Sequence, residues 1–225
     1  MKNQPGSLEI ERRPAFAVFS LLVAALTLSL GVVLYLHASP TTAAQEWSNY
    51  TANQASYTTS AYVALTWSVF SIPFVVGLGT LLRAKSSSLA LAATLLSAVG
   101  MLLFGFAYFI SAQALGVLGL VGNLAPGTAE ATYHAAFWYY FSVSLLVPAL
   151  YAWGLGQLLF GWLAWRSRVL PSWLAVLGMI SGIASFAPPF RFVQAIVLDS
   201  FMLWSFITGI VLLRSRATAR DRRSE

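Results

Sequence analysis

Six segments of this sequence are long, apolar and almost free of charged residues. They cover approximately residues 14–36, 60–82, 87–112, 134–165, 171–187 and 192–213, and Asp199 is the one charged residue within them. A helix needs about 20 mostly apolar residues to cross the hydrocarbon core of a bilayer. Inside lipid, a helix also satisfies its own backbone hydrogen bonds. The pattern therefore predicts an all-α polytopic membrane protein, folded as a bundle of six transmembrane helices.

The composition excludes several functional classes. Charged residues make up only 9% of the 225 residues, whereas a soluble domain has about 25%. The chain has no Cys and two His, so thiol catalysis, iron–sulfur clusters and Cys-based zinc sites are excluded. The sequence also contains no GxSxG, HExxH or phosphate-binding loop. We therefore expect a protein that is not an enzyme and has no cofactor.

The basic residues predict the orientation of the chain. With six spans, Arg191 alone falls on the side opposite both termini, and the other 12 of the 13 Lys and Arg residues share one side. Basic residues in short loops stay in the cytoplasm. This predicts a cytoplasmic segment at 1–13, a membrane domain at 14–213 and a basic cytoplasmic tail at 214–225. Because the tail directly follows a span, we expect it to contact anionic lipid headgroups and not nucleic acid.

Two of the predicted spans are longer than a bilayer requires. The fourth has about 32 residues, roughly 48 Å as a helix, and the third is followed by a further apolar stretch at 115–124. Turn-forming residues at 122–128 separate them. Either this hairpin projects beyond the outer membrane surface and offers a surface to a partner, or the helices tilt and the extra stretch lies at the interface.

Asp199 is the first candidate site residue, because ionisable groups inside a membrane are costly and often functional. No Lys or Arg lies within the six segments, so its partner is expected to be an uncharged polar group or water. Candidate partners on the fourth span are Gln157, Tyr139, Tyr140, Tyr151 and His134. This set predicts either a titrating site of a proton-coupled carrier or channel, or a structural hydrogen bond.

Other features of the sequence suggest weaker sites. His37 and His134 both lie at outer ends of spans, where two imidazoles could bind haem or a metal, although no metal-ligand cluster supports them. An aromatic run at 137–141 fits a quinone or lipid site, or an aromatic belt at the interface. Gly178 and Gly182 form a GxxxG pattern that favours close helix packing, either inside the bundle or in a dimer.

A basic-Ser-basic turn at Arg166–Arg168 is followed by Pro171, Trp173 and a Gly-containing helix. The whole segment, residues 159–178, reads LFGWLAWRSRVLPSWLAVLG. This segment resembles a bacterial six-span membrane family that is catalogued only as a domain of unknown function. Most members of that family have a basic residue where Ser172 stands here. The resemblance implies a six-span fold in the bacterial cytoplasmic membrane, and it implies no reaction or ligand.

Together these features predict a non-enzymatic subunit, regulator or sensor of a larger membrane assembly, which contacts lipids and either a membrane-protein partner or a second copy of itself. The alternatives are a small proton-coupled carrier or channel that uses Asp199, and a binder of an apolar ligand, quinone or haem at the outer side.

Overall fold

The fold is all-α over the residues described by the computed structural model, which are 6–36, 48, 52–121, 129–187 and 191–224. Within these ranges six helices follow one another along the chain. They are α1 (Gly6–Leu36), α2 (Gln54–Leu82), α3 (Ser87–Val121), α4 (Ala129–Ser167), α5 (Ser172–Ala184) and α6 (Arg191–Ser224). Each overlaps one of the six apolar segments, and α5 is shorter than its predicted segment at 171–187.

Five of the six helices continue past the apolar segments that predict them. Helix α1 begins at Gly6, α2 begins at Gln54, α3 runs on to Val121, α4 begins at Ala129, and α6 extends through the basic tail to Ser224. Helix formation does not stop where the hydrophobic pattern stops, because polar helix-forming residues such as Glu and Arg continue the backbone hydrogen bonding. The apolar stretch after the third segment therefore begins as part of α3. The predicted turn at residues 122–128 lies outside the described residues.

The helices are apolar enough for a membrane. Among the described residues, three stretches are long and apolar enough to cross a bilayer, namely Gln54–Leu82, Ser87–Ala114 and Tyr140–Ser167. Shorter apolar stretches occupy the other three helices, at Phe16–Val32, Ser172–Ala184 and Ile196–Val211. The fold is consistent with a helical membrane protein.

The six helices form a closed ring. Each helix packs against the next one along the chain, α6 closes the ring by packing against α1, and α2 reaches across to α4. Short connections explain the neighbour-to-neighbour order: α2 and α3 are joined by Arg83–Ser86, and Ser86 caps α3 by accepting a hydrogen bond from the amide of Leu89 (3.4 Å). Short loops favour antiparallel neighbours in helical bundles.

Aromatic rings from α2, α3, α4 and α6 fill the inside of the ring. Trp67 lies at the centre of this core, with its ring centroid 5.2 Å from Trp153, 5.6 Å from Phe104 and 6.0 Å from Phe201. A second set of rings continues along the axis, where Trp204 contacts Phe74 at 5.9 Å and Phe160 at 6.4 Å. All seven of these residues are buried.

Close helix contacts occur at glycines. A Cβ placed on Gly182 of α5 would lie 2.7 Å from the carbonyl oxygen of Gly154 and 2.8 Å from the amide nitrogen of Leu158, both in α4. A Cβ on Gly161 would likewise lie 2.8 Å from the carbonyl oxygen of Ala175. These distances are too short for any side chain, so α4 and α5 approach each other backbone to backbone, as small residues permit in membrane bundles.

The turn between α4 and α5 contains the basic residues of the Arg166–Arg168 motif. Arg168 has a left-handed backbone conformation, with φ of 55°, which an ordinary L-residue adopts at some energetic cost. Its amide still donates to the carbonyl of Ala164 (3.1 Å). Leu170 is buried and fixes the turn against the core, so that Pro171 can begin α5 with an extended backbone.

Candidate functional site

Gln157 is the one predicted polar site residue whose described side chain lies in the interior. It lies ten residues before the end of α4, its side chain is fully buried, and neither its amide oxygen nor its amide nitrogen has a hydrogen-bond partner among the described residues. An amide buried in an apolar interior without partners is strongly destabilising. The surroundings of Gln157 are therefore the first place to look for a functional site.

Four further residues have buried polar atoms without partners in the described part of the chain. We refer to these residues, together with Gln157, as the buried polar zone. Its members are the hydroxyls of Ser71 and Ser97, the indole nitrogens of Trp153 and Trp204, and the amide of Gln157. All five side chains have 0% exposure.

Contacts between helices locate the members of this zone along the bundle axis. Ser97 of α3 faces Gly156, next to Gln157, and Trp153 lies one turn from Gln157 on the same face of α4. Gly178 of α5 contacts the indole of Trp204. Since Ala175 lies opposite Gly161 and Gly182 lies opposite Leu158, Gly178 is about one turn from Gln157.

Ser71 lies at the other end of the zone. It is one turn from Trp67 on α2, and the ring of Trp67 contacts that of Trp153. All five members therefore fall within about three turns of α4, roughly 15 Å.

The distance of the zone from the basic helix ends indicates its depth in a membrane-spanning bundle. Its members are nine to thirteen residues along their own helices from the nearest Lys or Arg, namely Arg83, Lys85, Arg166 or Arg214. At 1.5 Å per residue this is roughly 14–20 Å. Half of a hydrocarbon core is about 15 Å, so in a membrane-spanning bundle the zone would lie near the middle of the bilayer.

Elsewhere in the bundle, buried hydroxyls follow the usual rule for helices. They donate to a backbone carbonyl, in most cases of the preceding turn. Those that do so are Ser20, Thr27, Ser60, Ser68, Ser181, Ser185, Ser200, Ser205 and Thr208. The indole of Trp67 is also paired, and it donates to the hydroxyl oxygen of Thr27 at 2.8 Å. The zone is therefore a local exception to an otherwise satisfied core.

Asp199 lies on the outside of the bundle and not beside Gln157. Its side chain is exposed on α6, and Leu203 and Phe206, one and two turns further along the same face, are also exposed. We refer to Asp199, Leu203 and Phe206 as the outer face of α6. A carboxyl group at this position projects away from the core of its own bundle, among apolar side chains.

The other predicted site residues do not join Gln157 either. Tyr140 is 68% exposed, and Tyr151 is 45% exposed with its ring stacked on Phe186 at 5.4 Å. His134 and Tyr139 belong to α4, but their side chains lie outside the described part of the structure, as does the whole of His37. Gly178 and Gly182 both face other helices of the same bundle, at Trp204 and Gly154.

The described residues offer no group of three or more His, Cys, Asp or Glu side chains that could hold a metal ion. The buried polar zone is uncharged and consists of hydrogen-bonding groups. Its two indoles can only donate, while its amide and hydroxyls can donate and accept. Its chemistry is therefore recognition of a neutral polar group.

Four of the five zone residues were not predicted from the sequence. Trp and Ser are common in membrane helices, and nothing in the one-dimensional pattern shows whether their polar atoms have partners. A usable signal does exist: Trp153 and Gln157 are four residues apart on one face, and the zone residues lie at similar distances from the basic ends of four helices.

Comparison with known proteins gives one match. No curated protein and no solved structure matches the chain. A family model described as "Domain of unknown function (DUF4386)" matches residues 16–214, a range that includes the described side chains of the whole bundle. The match also confirms the resemblance seen in the segment at 159–178. The chain therefore belongs to the DUF4386 family.

Proposed function

We propose that the protein is a non-enzymatic subunit, regulator or sensor of a larger membrane assembly, and that it joins this assembly through the outer face of α6. The proposal includes six spans with both termini in the cytoplasm of a bacterium, anchored in its inner membrane. The supporting observation is the exposed position of Asp199 on an apolar helix surface.

A carboxyl group in this position favours a partner. On insertion scales, aspartate is among the most costly residues at the centre of a transmembrane helix, and intramembrane charges usually pair with one another. Asp199 is about 15 residues from Arg214 and eight from Arg191, roughly 22 Å and 12 Å along the helix. Neither arginine side chain is long enough to reach the Asp199 carboxyl group from its own end of the helix.

The nature of the partner follows from the charges of this chain. A second copy in the same orientation offers no Lys or Arg at the depth of Asp199, because the six apolar segments contain none. We therefore propose a different membrane protein with a Lys or Arg in one of its transmembrane helices. Such a residue would remove the cost of the isolated carboxylate, and the exposed Leu203 and Phe206 would pack against its helix.

Site-specific photo-cross-linking in native membranes tests this proposal. A photoreactive residue at Leu203, one turn from Asp199, is expected to capture the partner. The same residue at Leu95, which is 55% exposed on α3 at the opposite side of the ring, provides the control and should not. The Leu203 cross-link should be lost in both Asp199→Asn and Asp199→Leu.

The identity of the captured protein decides the outcome. The proposal requires a transmembrane Lys or Arg in that protein, and its replacement by Leu should also abolish the cross-link. Capture that persists in both Asp199 variants, or a partner without such a basic residue, would show that the outer face of α6 does not recruit a charged helix.

A small carrier or channel is the second proposal. It is favoured by the depth of the buried polar zone, since secondary transporters bind their substrates near the middle of the membrane. The exposed position of Asp199 does not support its role as the titrating group of an interior pathway. Proton flux into proteoliposomes under an applied potential tests this alternative, and flux equal to that of protein-free liposomes would exclude proton coupling.

The third alternative is a binder of an apolar ligand, quinone or haem at the outer side. It depends on His37, His134 and the aromatic run at 137–141, most of whose side chains lie outside the described structure. A haem would give the purified protein a visible absorption spectrum, so the spectrum of protein extracted in mild detergent separates this alternative from the other two.

A further inference from the structure

We propose that the buried polar zone is an internal water-binding site at the middle of the bundle. This inference does not depend on the partner proposed for α6, because it concerns the opposite, inward-facing side of the helices. It rests on five buried residues whose polar atoms have no hydrogen-bond partner among the described residues, namely Ser71, Ser97, Trp153, Gln157 and Trp204.

The first argument is hydrogen bonding. Inside a membrane bundle every polar group needs a partner from the protein or from enclosed water, because lipid provides none. The zone presents two indole N–H donors, one amide that donates and accepts, and two hydroxyls. The two indoles can only donate, so the ligand must accept hydrogen bonds, and water can accept two while also donating to the amide oxygen of Gln157. A buried water typically makes about three such bonds.

The second argument is charge. An anion would also accept these hydrogen bonds, but the nearest basic side chain along α4 is Arg166, nine residues from Gln157 and roughly 14 Å away. The nearest described acidic residue, Asp199, faces outward. The zone is thus neutral, and a neutral ligand suits it better than an ion.

The surrounding aromatic rings limit the size of the ligand. Trp153 contacts Trp67 at 5.2 Å and Phe201 at 5.4 Å on one side of the zone. Trp204 contacts Phe74 and Phe160 on the other side. A larger molecule such as a quinone headgroup would have to displace these rings, whereas single water molecules would not.

Hydrogen exchange of the indole N–H groups tests the proposal, with Trp67 as an internal control. Trp67 is as buried as Trp153 and Trp204 but donates to Thr27. After transfer of ¹⁵N-labelled protein in lipid nanodiscs to D₂O, the N–H signals of Trp153 and Trp204 should decay at least about tenfold faster than that of Trp67. Single Trp→Phe replacements assign the signals.

One variant makes the test specific. Gln157→Leu removes the amide one turn from Trp153 and should slow the exchange of the Trp153 N–H. Equal exchange rates for all three indoles in the wild-type protein would overturn the proposal, and this measurement requires no variant to fold. Faster exchange of Trp153 that is unchanged in folded Gln157→Leu would also overturn it.

Discussion

Trp67 and Trp153 are both fully buried and their rings are in contact, yet they differ in hydrogen bonding. Trp67 donates to the hydroxyl of Thr27, which in turn donates to the carbonyl of Val23 at 2.6 Å. This short chain of hydrogen bonds connects α2 to α1 through the core. Since few polar bonds cross between helices in the described bundle, this one fixes the relative position of the first two helices more specifically than apolar contacts do.

Replacement of Thr27 by Val tests the energetic value of this bond. Thr27→Val keeps the shape of the side chain but leaves the indole N–H of Trp67 buried and unpaired, so we expect a loss of about 1–3 kcal/mol in unfolding free energy. Thr208→Val is the matched control. Thr208 is equally buried, and its hydroxyl only donates to the carbonyl of Trp204.

Reversible denaturation in mixed micelles measures both variants. The Thr208 variant should change by less than about 0.5 kcal/mol, because a helix carbonyl keeps its backbone hydrogen bond when the side-chain donor is removed. Similar losses for the two variants would mean that the bond between Trp67 and Thr27 adds nothing beyond ordinary packing.

Helices α4 and α5 pack closely through glycines on both helices. Gly154 and Gly182 face each other, and the carbonyl of one lies in the space that a side chain of the other would occupy. The GxxxG pattern of α5 is used within the bundle, since Gly178 contacts α6 and Gly182 contacts α4. The short length of α5, 13 residues, makes these close contacts the main way in which it can bury its surface.

Gly182→Ala is expected to separate this pair. Its methyl group would clash with backbone atoms of α4 at 2.7–2.8 Å, and overpacking of this kind costs about 1–3 kcal/mol. Gly31→Ala in α1 is the control, since nothing lies within 4 Å of its Cβ position. There the gain in helix propensity should leave stability unchanged or raise it by up to about 1 kcal/mol. The midpoints of thermal unfolding check the two, and equal midpoints would mean that α4 and α5 move apart freely.

The sequence is a good guide to elements and a poor guide to contacts. Long apolar runs, with Asp199 as their one charged residue, predicted all six helices. Because nearly every position in these runs is apolar, the sequence does not show which side chains face the core. Leu95 faces outward and Leu78 faces inward, although both are leucines in apolar runs. Asp199 was correctly singled out as unusual, but whether it faces inward or outward depends on the rotation of α6, which packing against α1 and α5 determines.

The orientation of the whole molecule is tested by labelling, and the absence of native Cys simplifies the experiment. Ser48 and Ala84 are both exposed and lie at opposite ends of α2. If both termini are cytoplasmic, a membrane-impermeant thiol reagent added to intact cells should modify Ser48→Cys. It should not modify Ala84→Cys or Ser215→Cys until the cells are opened. Modification of Ser215→Cys in intact cells would reverse the proposed orientation.

Closure of the ring by α6 against α1 has a consequence for biosynthesis. A Cβ on Gly209 would lie 3.1 Å from the carbonyl oxygen of Ala17, so α6, which is made after the other five helices, fits directly onto α1. About 180 residues separate the end of α1 from the end of the apolar part of α6, and a ribosome takes roughly 10–35 s to add them. During that time α1 can pack against α2 but not yet against α6. We therefore expect nascent chains that stop before α6 to remain open on one side, and to be preferred substrates of membrane proteases and chaperones.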